Sequence, residues 1–193
     1  MSDAIETIEY KNHTIEILPD MNPESPREWD NICEFHCGHR RYNLGDFHYT
    51  ESTREDFNEM YRKAKRQNDI ILPLYMYEHS GIALSIQSFY RRLPQGHAEF
   101  DSCQVGYVII RREKVLEEWG KKRITKQFRE KLIRIAESEI QTYNQYLRGD
   151  IYGYNVIDED GNETDSCWGY YGTEDAITEA KSIVDYKTNE VKV

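Results

Sequence analysis

Three short stretches hold the side chains whose types could do chemistry. Cys33, His36, Cys37 and His39 stand within seven residues, and thiolate and imidazole are the ligands that zinc takes. These four form a candidate metal set, with His48, Cys103 or Cys167 as possible additions. Their spacing is poor for it, because structural zinc sites set two ligand pairs a dozen or more residues apart. In the same stretch Arg40, Arg41, Asn43 and Asp46 follow His39. Arginine grips carboxylate or phosphate through two parallel N–H donors, so these four form a candidate ligand- or anion-binding cluster; the competing expectation is that the arginines staple the loop to Asp30 or Asp46. Finally, His79-Ser80 and Asp101-Ser102 supply the types of a base, a nucleophile and an orienting acid. With His39 they give an alternative catalytic set of His39, His79, Ser80 and Asp101. Neither serine sits in a G-x-S-x-G elbow, and turns are rich in Ser, Asp and Gly for conformational reasons. The leading expectation therefore assigns no catalytic residue, no metal and no cofactor, with zinc as the alternative.

Local pattern along the chain assigns the strands and helices that carry these side chains. Ala4–Tyr10 and Thr14–Leu18 alternate apolar and polar residues about Lys11-Asn12-His13, as a β-hairpin does. From Asp20 to Thr53 no period of 2 or 3.6 survives, so the reading is one long ordered loop holding three of the six histidines. Thr53 caps a helix, with Asp56 in the capping-box position and Phe57, Met60, Tyr61 and Ala64 on one face. Ile70–Tyr77 reads as an interior strand with a bulge expected at Pro73, since proline cannot donate to a ladder. Ile82–Ser88 and Gln104–Ile110 are further strands on either side of an exposed RRLPQGHAE segment. Arg111–Trp119 makes a short helix closed by Gly120. From Thr125 a long helix carries the stripe Ile124, Phe128, Leu132, Ala136, Ile140, Tyr143 and Leu147, and Gly149 ends it. Ile151–Ile157 and Glu163–Tyr171 form a second hairpin about Asp160-Gly161-Asn162, a turn suited to positive φ rather than a calcium loop. A last helix follows Gly172-Thr173, with a loose TNEVKV tail.

Strands follow one another here more often than they alternate with helices. The expected fold class is α+β: a single domain over 1–193, with an antiparallel or mixed sheet of about seven strands and helices mainly on one face. Within it, 1–19 is the N-terminal hairpin, 20–53 the long loop, 54–149 the central sheet and helices, and 150–193 the C-terminal hairpin and helix.

Composition narrows the function classes. No apolar run is long enough to span a bilayer, and MSDAIETIEY lacks the features of a signal peptide, so a cytoplasmic protein without membrane partners is expected. Four irregularly spaced cysteines imply reduced thiols. The net charge is −10, which disfavours direct duplex DNA binding. Its distribution is uneven: two acidic ends flank the segment 111–134, which carries ten basic and four acidic side chains. On amphipathic helices such a run reads as a solvated face. No phosphate-binding loop or dinucleotide fingerprint is present.

PREWDNICEFHCGHRRYNLGD (Pro26–Asp46) resembles a family of uncharacterised proteins encoded by bacteriophages, archaeal viruses and mobile elements. So, in order, do ILPLYMYEHSGIALS (Ile71–Ser85), FDSCQVGYVI (Phe100–Ile109), YNQYLRGDIYGY (Tyr143–Tyr154) and DSCWGYYG (Asp165–Gly172). Phe100 and Cys103 depart from the family's apparent Trp and Gly. The resemblance implies a viral or mobile-element origin. Together with the acidity, it leads to the expectation of a non-enzymatic accessory protein in the host cytoplasm that binds a host protein or nucleoprotein complex. The target would be a nucleic-acid-dependent defence system, inhibited in anti-CRISPR or anti-restriction fashion, with Asp158, Glu159, Asp160 and Glu163 as partner-binding residues. The alternative is a small metal- or His-dependent enzyme, or a ligand-binding protein, using the Cys33–Asp46 loop with His79 and Asp101.

Overall fold

The structure is a computed structural model and describes residues 4–90, 92, 93 and 100–190. Most of the RRLPQGHAE segment, His97 included, lies outside the described residues, as do the last three residues of the tail. The chain is α+β, with antiparallel and mixed sheets as expected. Its strands are divided, however: nine among the described residues form two sheets rather than one of about seven. Each sheet belongs to a compact unit, residues 1–25 with 145–193 in the first and 26–144 in the second.

The first unit is built by the two ends of the chain. Strands β1 (Glu6–Tyr10), β2 (His13–Pro19), β8 (Ile151–Ile157) and β9 (Glu163–Tyr171) pair antiparallel in the order β1-β2-β8-β9. Both expected hairpins are present. Lys11 and Asn12 take φ of 46° and 59°, the double positive-φ conformation of a two-residue hairpin turn, and Gly161 takes +85° in the second. Helix α4 (Thr173–Glu190) continues into the segment expected to be loose. Its Ala176, Ala180 and Val184 pack on Ile15, Ile17, Tyr154 and Val156 of one sheet face.

The second unit holds a five-stranded sheet ordered β4-β3-β7-β5-β6. Its strands are β3 (Cys33–Cys37), β4 (Phe47–His48), β5 (Ile70–Glu78), β6 (Ile82–Ser85) and β7 (Ser102–Ile110). The segment expected to be a loop without regular structure therefore supplies two strands. The short β4 runs parallel to β3, which makes this sheet mixed. The bulge of β5 falls at Leu74/Tyr75, one residue past Pro73. Proline is tolerated because β6 begins its pairing only at Tyr75, leaving that side of Pro73 without a partner strand.

Helices cover this sheet on both faces, not mainly on one. On β3 successive side chains alternate faces. Phe35 meets Tyr143 of α3 (Lys126–Arg148) edge to face at 6.0 Å, on the side that receives the stripe Phe128, Leu132, Ala136, Ile140 and Tyr143. His36 and its β7 partner Tyr107 face the other way. There Phe57 and Tyr61 of α1 (Arg54–Arg66) stack on Tyr107. Thr53 precedes α1 as expected, but its hydroxyl turns back to accept the Thr50 amide (2.8 Å) instead of capping the helix. The short α2 (Arg112–Glu118) ends at Gly120, φ +58°. Lys121, Lys122, Arg123, Lys126 and Arg129, of the basic run, are exposed as a solvated face would be.

Gly106 marks the tightest approach in this sheet: a Cβ there would lie 1.9 Å from the His36 carbonyl oxygen. Gly81 has open space around it and no positive φ. Gly106→Ala should lower stability by about 2 kcal/mol or more through forced strand separation, while Gly81→Ala leaves it nearly unchanged. Urea melts of the two variants check this; equal midpoints would refute the close β3–β7 approach.

Candidate functional site

Because β3 is a strand, the four candidate zinc ligands cannot converge. Cys33 and Cys37 point into the core with Phe35, whereas His36 points to the opposite face. No group of three metal-ligating side chains occurs among the described residues. Burial, with Glu139 close by, pushes the Cys33 thiol well above its ordinary range, away from the thiolate a metal needs.

His36 is instead the centre of a hydrogen-bonded relay. It is 2% exposed and stacks on Phe47 with ring centroids 4.5 Å apart. Its Nε2 lies 3.0 Å from Glu34 Oε2, and its Nδ1 3.0 Å from the Tyr49 hydroxyl. Glu34 Oε2 also accepts from Arg111 Nε (2.8 Å) and Nη2 (2.5 Å). Arg111 Nη1 donates to Asp69 Oδ2 (3.1 Å), and Asp69 Oδ1 accepts the Arg112 amide (2.9 Å). Burial alone would raise the Glu34 pKa, but the hydrogen bonds from His36 and Arg111 and the Arg111 charge hold it at about 2. Glu34 is thus an ionised acceptor, which places the proton of a neutral His36 on Nε2 and leaves Nδ1 to accept the Tyr49 O–H.

The three stretches carrying the candidate chemistry meet at one end of this sheet. A pocket of about 550 Å³ is lined by His39, Arg41, Glu78, His79, Ser80, Asp101 and Cys103, among others. His79 Nδ1 lies 3.2 Å from Asp101 Oδ2, the base–orienter contact expected of such a pair. Ser80 holds φ +58° at the turn, and no hydrogen bond joins it to His79. Arg41 and the Tyr42 hydroxyl both bind Glu78, the latter at 2.6 Å. His39 stacks on Tyr42 (5.1 Å) and accepts the Arg41 amide at Nδ1 (3.3 Å). Burial, and then the Arg41 charge, lower its pKa, so His39 is neutral at pH 7. Burial, with the Glu78 carboxylate nearby, raises the Cys103 thiol, which argues against a thiolate nucleophile there.

His39 also lines a second, larger groove of about 890 Å³ between residues 38–54 and β7. Arg40, Arg54 and His48 contribute cationic or imidazole groups, Tyr49, Phe57 and Tyr107 an aromatic wall, and Thr50, Ser52, Glu51 and Gln104 polar groups. Arg40 and Arg54 make no ion pair among the described residues. Most of this lining went unread in the sequence; residues 49–52 carry no motif, and Arg54 and Phe57 read only as helix.

The remaining candidates have structural partners. Asp46 binds Arg27 (3.0 and 2.6 Å) and accepts the Phe35 amide (2.7 Å). Lys114 takes Asp30 at 2.9 Å. The loop is therefore stapled, but by Arg27 and Lys114 in place of Arg40 and Arg41. Asn43 is exposed. In the first unit Asp158 Oδ1 accepts the amides of Asp160 (3.0 Å) and Asn162 (2.8 Å), so its carboxylate builds the turn that exposes Glu159, Asp160 and Glu163. The DSCWGYYG stretch serves backbone geometry: Gly169 and Gly172 both take φ +89°, and the Trp168 ring fills the place a Gly153 side chain would need.

No family model matches the chain, and neither does any curated protein or solved structure. No helix among the described residues is long and apolar enough to cross a membrane.

The lowered pKa of Glu34 fixes a pH dependence. A carboxylate with a depressed folded pKa contributes stability that is complete above its ordinary value of 4.5 and is lost as pH falls through about 2. The loss should be on the order of 2 kcal/mol after allowance for partial solvation. Wild-type thermal stability should therefore fall more steeply between pH 4.5 and 2 than that of Glu34→Gln; parallel curves would show that the relay is not an ionic one.

Proposed function

We propose that this chain is a ligand-binding protein whose site is the groove between residues 38–54 and β7, and that its ligand joins a planar ring to a phosphate, as a nucleotide does. The observation that carries this reading is the pairing of two exposed arginines without an ion-pair partner among the described residues, Arg40 and Arg54, with the aromatic wall of Tyr49, Phe57 and Tyr107. Guanidinium groups bind phosphate bidentately, and aromatic faces stack on bases of any identity. Neutral His39 adds a donor at Nε2, since its Nδ1 already accepts a backbone N–H. Calorimetry with adenosine and guanosine mononucleotides and with a cyclic dinucleotide should find at least one that binds. Arg40→Glu with Arg54→Glu should weaken it tenfold or more; no binding by any of them, or no effect of the double variant, would overturn the reading.

A second reading keeps the chain as a viral or mobile-element accessory protein that inhibits a host nucleic-acid-dependent defence complex. Charge segregation favours it: residues 1–25 and 145–193 carry 17 acidic and 5 basic side chains, whereas residues 26–144 carry 18 and 20. The acidity is thus confined to the first unit, whose exposed turn at Glu159, Asp160 and Glu163 would compete with nucleic acid for a basic cleft. Under this reading, changing those three residues to Lys should reduce capture of the host complex from nuclease-treated lysate at least tenfold. Asp158 is left in place because it holds the turn. Undiminished capture by the triple variant would rule out mimicry through this turn.

A further inference from the structure

The Tyr49–His36–Glu34 relay has more order than packing requires. His36 is a polar side chain that is buried outright, 2% exposed. Both of its nitrogens are used, one on an ionised carboxylate and one on a phenol that lines the groove. We propose that Tyr49 is a nucleophile for a phosphoric anhydride bound in this groove, with His36 as its base and Glu34 as the group that orients the base. The proposal rests on the groove reading above.

The direction of proton flow follows from the partners. Glu34 can only accept, so His36 Nε2 donates and Nδ1 presents its lone pair to the Tyr49 O–H, the logic by which a hydroxyl nucleophile, imidazole and carboxylate act together. When Tyr49 Oη attacks phosphorus, an O–P bond forms and the P–O bond of the anhydride bridge breaks. The phosphate leaving group departs with that electron pair, and the phenol proton passes to Nδ1. The imidazolium then lies 3.0 Å from Glu34, within a set of one arginine and two carboxylates (Glu34, Arg111, Asp69) whose net charge of −1 favours it. Water attack on the aryl phosphate would return the free phenol. At rest Tyr49 remains a phenol, because burial raises its pKa; the phenolate character appears only as the proton is taken.

The test uses an electrophilic nucleoside, 5′-(4-fluorosulfonylbenzoyl)adenosine, whose sulfonyl group accepts a tyrosine oxygen while fluoride leaves. Labelling is mapped by peptide mass spectrometry on the full-length chain. Tyr49 should be the principal modified tyrosine, excess AMP should protect it, and Tyr49→Phe should abolish the adduct. His36→Gln and Glu34→Gln should each slow labelling tenfold or more, a general-base contribution, while their circular dichroism and AMP affinity stay as in wild type. Should His36→Gln fail to fold, Glu34→Gln carries the same comparison. Equal rates in wild type and the folded variants, or modification of other tyrosines with Tyr49 untouched, would overturn the proposal. Failure of the groove reading is distinct: AMP would neither bind nor protect, yet N-acetylimidazole, which needs no nucleotide site, would still acylate Tyr49 fastest and in a His36-dependent way.

Discussion

The second unit depends on one guanidinium. Arg27 is 8% exposed and lies 3.8 Å above the Phe35 ring centroid. It donates to both oxygens of Asp46, to Glu139 Oε2 at 3.2 Å and to the Cys33 carbonyl at 2.6 Å. The two carboxylates it gathers then finish β3: Glu139 accepts the Ile32 amide (2.9 Å) and Asp46 the Phe35 amide (2.7 Å). Strand β4 pairs only with His36 and Cys37, so without these acids the earlier N–H groups on that side would have no strand partner. A buried, unpaired amide costs about 1–3 kcal/mol, and removing one member of a buried ion pair costs more. One side chain thus joins the start of the long segment, its middle and helix α3 into a frame on which β3 can present Glu34 and His36 outward.

From that frame the rest of the site follows by alternation. Strand geometry sends Phe35 to the α3 face and His36 to the α1 face, where Phe47 and Tyr49 stack on the imidazole and Phe57 and Tyr107 extend the aromatic surface beyond Tyr49. Burial works against the Glu34 carboxylate, and the hydrogen bonds from His36 and Arg111 together with the Arg111 charge outweigh it and keep the group acidic. On the opposite face burial raises the Cys33 and Cys37 thiols, away from the thiolate a metal takes. A metal set and a relay compete for this stretch, and the choice falls to the relay because residues two apart on a strand share a face while residues one and three apart do not.

Much of the fold was legible because its signals are local. Lys11-Asn12 and Asp160-Gly161 announce tight turns, the Phe128-to-Tyr143 stripe announces a buried helix, and Ile70–Tyr77 reads as a strand by apolar content alone. Cys33–Cys37 was missed because its alternation, Cys-Glu-Phe-His-Cys, lasts only five residues inside a stretch that is otherwise aperiodic. Once that strand is read, Glu34 and His36 become same-face neighbours; Tyr49, reached through a connection with no motif, does not. Division into two sheets was illegible for a different reason: β2 finds β8 across the whole second unit, a pairing that leaves no trace in local pattern. Of the separated stretches singled out by residue type, some converge and others serve the backbone. His39, His79 and Asp101 do meet, while Gly169 and Gly172 satisfy turn geometry.

That long-range pairing bears on how the chain comes off a ribosome. The second unit is contiguous, and every strand of its sheet has been made before residue 145 is added. The first unit is not: β1 and β2 are made before the second unit, yet β8, which pairs with β2, and the covering helix α4 are made after it. An early hairpin alone is marginal in water, and its Ile15 and Ile17, fully buried in the finished fold, have nothing to pack on until β8 and α4 have been made. Vectorial synthesis therefore favours assembly from the middle outward, with the N-terminal hairpin the element most in need of protection from edge-to-edge association while it waits.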